Sequence, residues 1–321
     1  MRPAIAIAVP TTGLAIICIT LIIIEGLAAS SSYWSGDIPL PYISDTGRDP
    51  PNYYVFAIGG TASASLFAIQ HALLSPAYVR ATHARPGCWR MSWYLACILS
   101  IVAMVALSML PRTGPAGLPC RSHLASPALM VRYSRRNSRW RRSVLLVCFN
   151  TNDYPAVHDA GAYTFFVLMA FALPLFTFSL FCLRRVQPEA VNPHSLRVKL
   201  VLTVCFWVAF IIYLPVGLAV VCTWNRLPLQ SCKVTHQLGD AYCDSKLLTA
   251  NESACAAPPC TVLWDYSGCP EINTLRAVFQ LASVLLLLLF QGTFFWENQY
   301  VARGGGDATI SKAGDGISPA V

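Results

Sequence analysis

Pro41-Tyr42-Ile43-Ser44-Asp45-Thr46-Gly47-Arg48-Asp49-Pro50-Pro51 is a polar, turn-rich stretch set between two long apolar runs. Asp45-Thr46-Gly47 carries an Asx-type turn signal, and Pro50-Pro51 imposes extended backbone that no helix continues through. The stretch therefore lies outside the hydrocarbon, at a membrane face. About 20 apolar residues cross a bilayer, so the upstream run, 9–28 with the single charge Glu25, reads as a first span. The rival is a signal peptide, because Arg2 precedes the apolar run and Ala28-Ala29-Ser30 offers a small-residue cleavage site. Downstream, 54–74 reads as a second span. Its Gly59, Gly60, Ser63 and Ser65 are the small residues that let helices approach closely in lipid.

Composition points the same way. Hydrophobic residues make up 55% of the 321 and charged residues 12%, about half the charged share of a soluble domain. The chain reads as an all-α, polytopic bundle of six transmembrane helices. The net charge of +8 is no nucleic-acid signal, because Lys and Arg gather in short loops beside apolar spans, where they report orientation. Further spans read as 92–110, 160–183, 200–221 and 275–296, with Trp296 and Tyr300 as interfacial anchors. Arg80, Arg85 and Arg90 flank one short loop and Arg184, Arg185, Arg197 and Lys199 another. Both loops, and with them both termini, are assigned to the cytosol. Residues 302–321 read as a disordered cytosolic tail.

Two segments depart from this plan. The first, 111–143, is Pro- and Gly-rich and then strongly basic, and span parity puts it on the non-cytosolic side against the charge rule. It reads as a lineage-specific insertion or a gene-model error such as a retained intron. An Arg-rich patch for anionic lipid heads and a trafficking signal are the alternatives. The second, 223–274, is slightly acidic and carries the sequon Asn251-Glu252-Ser253. With Cys222 at its edge, it holds Cys232, Cys243, Cys255, Cys260 and Cys269. Sequon and thiols place it in an oxidising lumen or outside the cell, with disulfides expected and the pairing open. A zinc site competes, but paired C-x2-C spacing is missing.

A resemblance adds to this reading. The stretch 41–51, standing between the first two spans, is similar to the signature of the DRAM-like family of six-span membrane proteins (damage-regulated autophagy modulators). That superfamily also includes Sfk-type plasma-membrane proteins and Frag-type proteins of GPI-anchor lipid remodelling. A second block, Phe149-Asn150-Thr151-Asn152-Asp153-Tyr154-Pro155 followed by His158-Asp159-Ala160-Gly161-Ala162, resembles the polar entry to the family's fourth span. Asn52 follows the two prolines where DRAM-type members are expected to carry Glu. The resemblance implies a six-span domain over 1–301, with no enzymatic activity and no cofactor. Its implied role is in autophagy and lysosomal or vacuolar function, or in membrane lipid organisation, at endomembranes or the plasma membrane. Lipid remodelling of GPI-anchored proteins is the alternative, and a small-solute transporter a weaker one. Partners are membrane lipids and other membrane proteins, not nucleic acid.

Candidate recognition residues on the luminal face are Asp45, Gly47, Asp49, Asn150, His158 and Asp159. Carboxylates beside a histidine suit acid–base work or a headgroup contact that responds to acid pH. The stronger reading of the same residues is structural. Asp159 is placed to cap a helix, His158 to bond a loop carbonyl, and Asp45 to close its own turn. No nucleophile or metalloenzyme motif supports catalysis. Charges inside spans are confined to Glu25 and Arg276, and Gln70, His71, Gln280 and Gln291 read as interhelical hydrogen-bond partners.

Overall fold

The computed structural model describes residues 3–30, 34, 36–81, 87–108, 155–214, 225–248, 255 and 257–303. Segment 111–143, Asn150, Asp153, Cys222, Asn251 and the tail beyond 303 lie outside them.

Apolar runs become helices because a lipid-exposed backbone must satisfy its own hydrogen bonds. They are α1 (Pro3–Ser30), α3 (Asn52–Ile69), α5 (Cys88–Ser108), α6 (Pro155–Val186), α7 (Pro193–Tyr213) and α9 (Pro270–Ala302). The signature stretch contributes a one-turn helix, α2 (Ile43–Thr46). Helix α3 passes through a π-type turn, Gln70–Leu74, into α4 (Ser75–Ala81). Runs in or continuous with α1, α3, α6, α7 and α9 have the length and hydropathy of membrane spans, and α5 holds a shorter apolar helix, Trp89–Met104.

The six long helices form a ring in chain order: α1 packs on α3, α3 on α5, α5 on α6, α6 on α7, α7 on α9, and α9 returns to α1. Small residues set the closest approach. A Cβ on Gly59 would fall 1.9 Å from Thr20 Oγ1 of α1, so only glycine fits there. Four residues on, Ser63 Oγ donates to the Gly13 carbonyl at 2.9 Å. Gly60 instead opens into the ring, with nothing within 4 Å of an added Cβ, and Ser65 is exposed. Helix α1 contributes Leu21 and Ile24 to the core, so in this structure it is one wall of the ring.

The fifth span differs from its expected 200–221. It begins at Pro193, where Asn192 Oδ1 accepts from the His194 amide at 2.8 Å and Pro193 stands at N1, a strong helix start. That shift draws Lys199 from the assigned loop into the bundle, where it is fully buried. Its Nζ lies 3.0 Å from Glu297 Oε2 of α9, with Thr293 and Ser195 hydroxyls as further acceptors at 2.6 and 3.2 Å. Charges within the spans are therefore not confined to Glu25 and Arg276.

One end of the ring carries a small cap. Strands β1 (Asn225–Pro228) and β2 (Cys260–Asp265) pair antiparallel, and α8 (Asp240–Ser245) packs beside them. Cys232 and Cys243 are bridged, as are Cys255 and Cys260, and Cys269 is also disulfide-bonded. Trp34, Leu227, Leu263 and the Cys232–Cys243 bridge form a second, separate core.

Candidate functional site

The signature stretch is where cap and ring meet. Arg48, 3% exposed, donates to the Trp34 carbonyl at 2.8 Å and lies between two carboxylates, 3.5 Å from Asp45 Oδ1 and 3.3 Å from Asp49 Oδ2. The cap supplies the other partners. Tyr266 OH donates to Asp45 Oδ2 at 3.0 Å, Tyr242 OH donates to Asp49 Oδ2 at 3.1 Å, and Lys246 pairs with Asp49 Oδ1. Two cations thus face two anions in a buried, closed network, which is the condition under which buried charge is tolerated.

Electrostatics follow from burial. It pushes the Asp45 carboxyl up, and Arg48, the Tyr266 hydroxyl and His158 only partly offset it. Burial also works against the Arg48 charge, but Asp45 and Asp49 outweigh it and hold the guanidinium above its usual range. Removal from water raises the Tyr266 phenol well above normal and the Tyr242 phenol to about 12, so both remain donors.

Backbone geometry explains the composition. Asp45 does not close an Asx turn; Ile43–Thr46 is a helical turn, and the Asp45 side chain reaches Arg48 and the cap instead. A Cβ on Gly47 would meet the Phe56 ring at 3.0 Å. Asn52, fully buried, donates its amide to the Thr46 carbonyl at 2.9 Å and the Ile24 carbonyl at 3.2 Å. An ionised Glu at this position has no proton to give, so Asn suits this loop. Below the turn, the Ile43 amide donates to Gln280 Oε1 at 3.0 Å, and Gln280 Nε2 donates to Tyr213 OH at 3.3 Å. Gln280 is thus the interhelical bridge its sequence suggested. Gln291 stands against His71 across the ring, as expected of interhelical partners, whereas the buried Gln70 amide has no hydrogen-bond partner among the described residues.

Inside the ring, beneath the signature turn, runs a cavity of about 190 Å³. Its walls are almost wholly apolar, with Leu21, Phe67, Met104, Phe166 and Leu287 among them. Ser44, Gly47, His158 and Gln280 lie toward the cap, and Gln291 lines it at depth. His158 is half-buried and close enough to Asp45 to act on its charge, so the two sequence blocks converge. Asp159 is no N-cap, because α6 starts four residues earlier at Pro155.

Of the candidate residues, then, Asp45, Gly47, Asp49 and His158 come together, while Asn150 falls outside the described residues. Tyr242, Lys246 and Tyr266 escaped the sequence reading because they lie 193 to 221 positions from their partners. Lys199 and Glu297 had a signal that went unread: Ser195/Lys199 and Thr293/Glu297 are both i,i+4 pairs, each presenting one polar face. Among the described residues no group of His, Cys, Asp or Glu is arranged to hold a metal ion.

The sequence model of the Frag1/DRAM/Sfk1/Cwh43P N-terminal domain matches residues 143–300. Residues 143–300 are thus similar to this family's domain. The Frag1/DRAM/Sfk1/Cwh43P match takes in the second sequence block, α6, α7, the cap and nearly all of α9, and it begins at the last residue of the basic segment 111–143. The signature stretch 41–51 lies outside the match, joined to it through the cap. No curated protein and no solved structure matches the chain.

Proposed function

We propose that this protein is a non-enzymatic, multispanning membrane protein that organises membrane lipids by holding a lipid chain inside its helical ring. Autophagic or lysosomal membranes are the setting we favour. The observation that carries the reading is the apolar cavity under the signature turn. Its depth suits hydrocarbon, and Ser44, His158 and Gln280 near its cap end suit the polar neck of a lipid, which supports reading His158 as a headgroup contact. The closed Asp45–Arg48–Asp49 network argues for anchoring rather than catalysis, since its carboxylates are occupied by Arg48, Lys246 and two tyrosines.

The test is native mass spectrometry of the purified full chain beside a Gly60→Phe form. Gly60 faces the cavity with open space around it, so the ring should fill the cavity without disturbing packing. The expected result is a co-purifying lipid on the wild type, lost in the variant at unchanged melting temperature. Equal lipid occupancy in both would overturn the reading. Remodelling of GPI-anchored proteins is a second reading, favoured by an apolar cavity that ends beside the cap-side groups Ser44 and His158. Unaltered anchor lipids in cells lacking the protein would remove it.

A further inference from the structure

At the end of the ring away from the cap, on its outer surface, α6 and α7 part around a groove of about 700 Å³. Its wall is apolar, with Phe178, Phe181 and Leu200 about half exposed. Thr177 and Thr203 close its floor, their hydroxyls 3.1 Å apart. Arg184, Arg185 and Arg197 line the same groove, and all are exposed. Lys199, the fourth cation of this sequence cluster, is turned inward to Glu297 and takes no part. Among the described residues no carboxylate pairs with any of the three arginines; Arg185 lies over the Phe181 ring at 4.5 Å.

We propose that this groove binds one anionic glycerophospholipid of the adjacent leaflet. An acyl chain lies along Phe178, Phe181 and Leu200, and the phosphate sits among the three guanidiniums. Half-exposed aromatic and aliphatic side chains beside a span need hydrocarbon over them, which any lipid supplies. Three uncompensated arginines at the groove's rim need negative charge as well, which only an anionic headgroup supplies, and the guanidinium fork matches phosphate oxygens. Basic pockets between spans are sites of this kind. The groove is separate from the interior cavity, so this inference stands or falls apart from the proposed function.

The experiment titrates the purified full chain with dioleoyl phosphatidylglycerol or dioleoyl phosphatidylcholine and follows melting temperature. We expect a saturable rise with the anionic lipid only. Apparent affinity should fall by about tenfold or more in R184Q/R185Q/R197Q. It should fall similarly in Leu200→Trp, which fills the groove and keeps every charge. R80Q/R303Q, changing exposed arginines at the same end, should respond as wild type. If the triple variant does not fold, the three single variants each carry a smaller loss. Equal response to both lipids, a wild-type response in Leu200→Trp, or equal loss in R80Q/R303Q would each overturn the proposal.

Discussion

Arg48 is the residue on which the cap's attachment depends. Removing its charge leaves Asp45 and Asp49 buried with Lys246 as the nearer cation for only one of them. Arg48→Met should therefore destabilise the protein by about 3–5 kcal/mol, read as a lower melting temperature in detergent. The same cluster carries a pH dependence of definite sign. The folded-state Asp45 carboxyl titrates above its ordinary value because it is buried, so the folded state holds that proton more tightly than the unfolded chain. Its contribution is fully present below the ordinary carboxylate range, near 3.9, and is lost as pH rises through the raised value. As pH is lowered from neutrality toward that ordinary carboxylate range, the wild type should gain stability relative to Asp45→Asn. Parallel melting curves across that range would show Asp45 to be uninvolved. How much of this was legible follows from range. The polar residues and prolines of 41–51 marked a break between two helices, although the Asx turn they suggested is a helical turn. The tyrosines and lysine that complete the cluster belong to a segment with no periodicity linking it to the loop, so nothing local announced them.

Among the elements, α7 and α9 form the most polar contact inside the ring. Hydropathy places the start of α7 near residue 200, because Pro193–Lys199 averages out as polar. Capping at Asn192 and Pro193 starts the helix earlier and commits Lys199 to the interior. There the ammonium meets Glu297 and also lies 4.6 Å from the Phe294 ring centre. A buried pair of this kind is worth little beside a well-packed apolar replacement, yet either member alone is costly. We expect Lys199→Met and Glu297→Gln each to lower stability by about 3 kcal/mol or more, and the double variant to recover most of that loss. A double-mutant cycle on melting free energies measures it, and simple additivity would mean the two charges are not coupled. Spans with plain apolar faces, such as α1 and α6, were readable from length and composition alone. The boundary of α7 was not, because capping and pairing outweigh hydropathy over one turn.

On the scale of the whole molecule, the cap and ring are two cores joined by a charged seam. The cap is too small to rely on apolar burial alone, and the Cys232–Cys243 bridge lies at the centre of its core. Replacing both cysteines by serine should cost about 2–4 kcal/mol. It should make the Lys246–Asp49 seam accessible to protease while the spans remain helical by circular dichroism; an unchanged cleavage pattern would refute a cap held by that bridge. Thiol crowding told in advance that disulfides would be there, but not which pairs, since spacing leaves pairing open. The ring has a consequence for how the chain is made. Each long helix lies against its neighbours in sequence, and where the connection is short, as from α4 into α5 and from α6 into α7, hairpins can assemble locally as they leave the ribosome. Contacts of α9 break that rule: it meets α1, where Gly292 faces Leu14, and it also touches α4 and α2. Until the final span is inserted, the nascent protein is an open palisade with two raw edges facing lipid. The last 33-residue helix is its keystone, and a message truncated before Pro270 yields a curved wall without an interior.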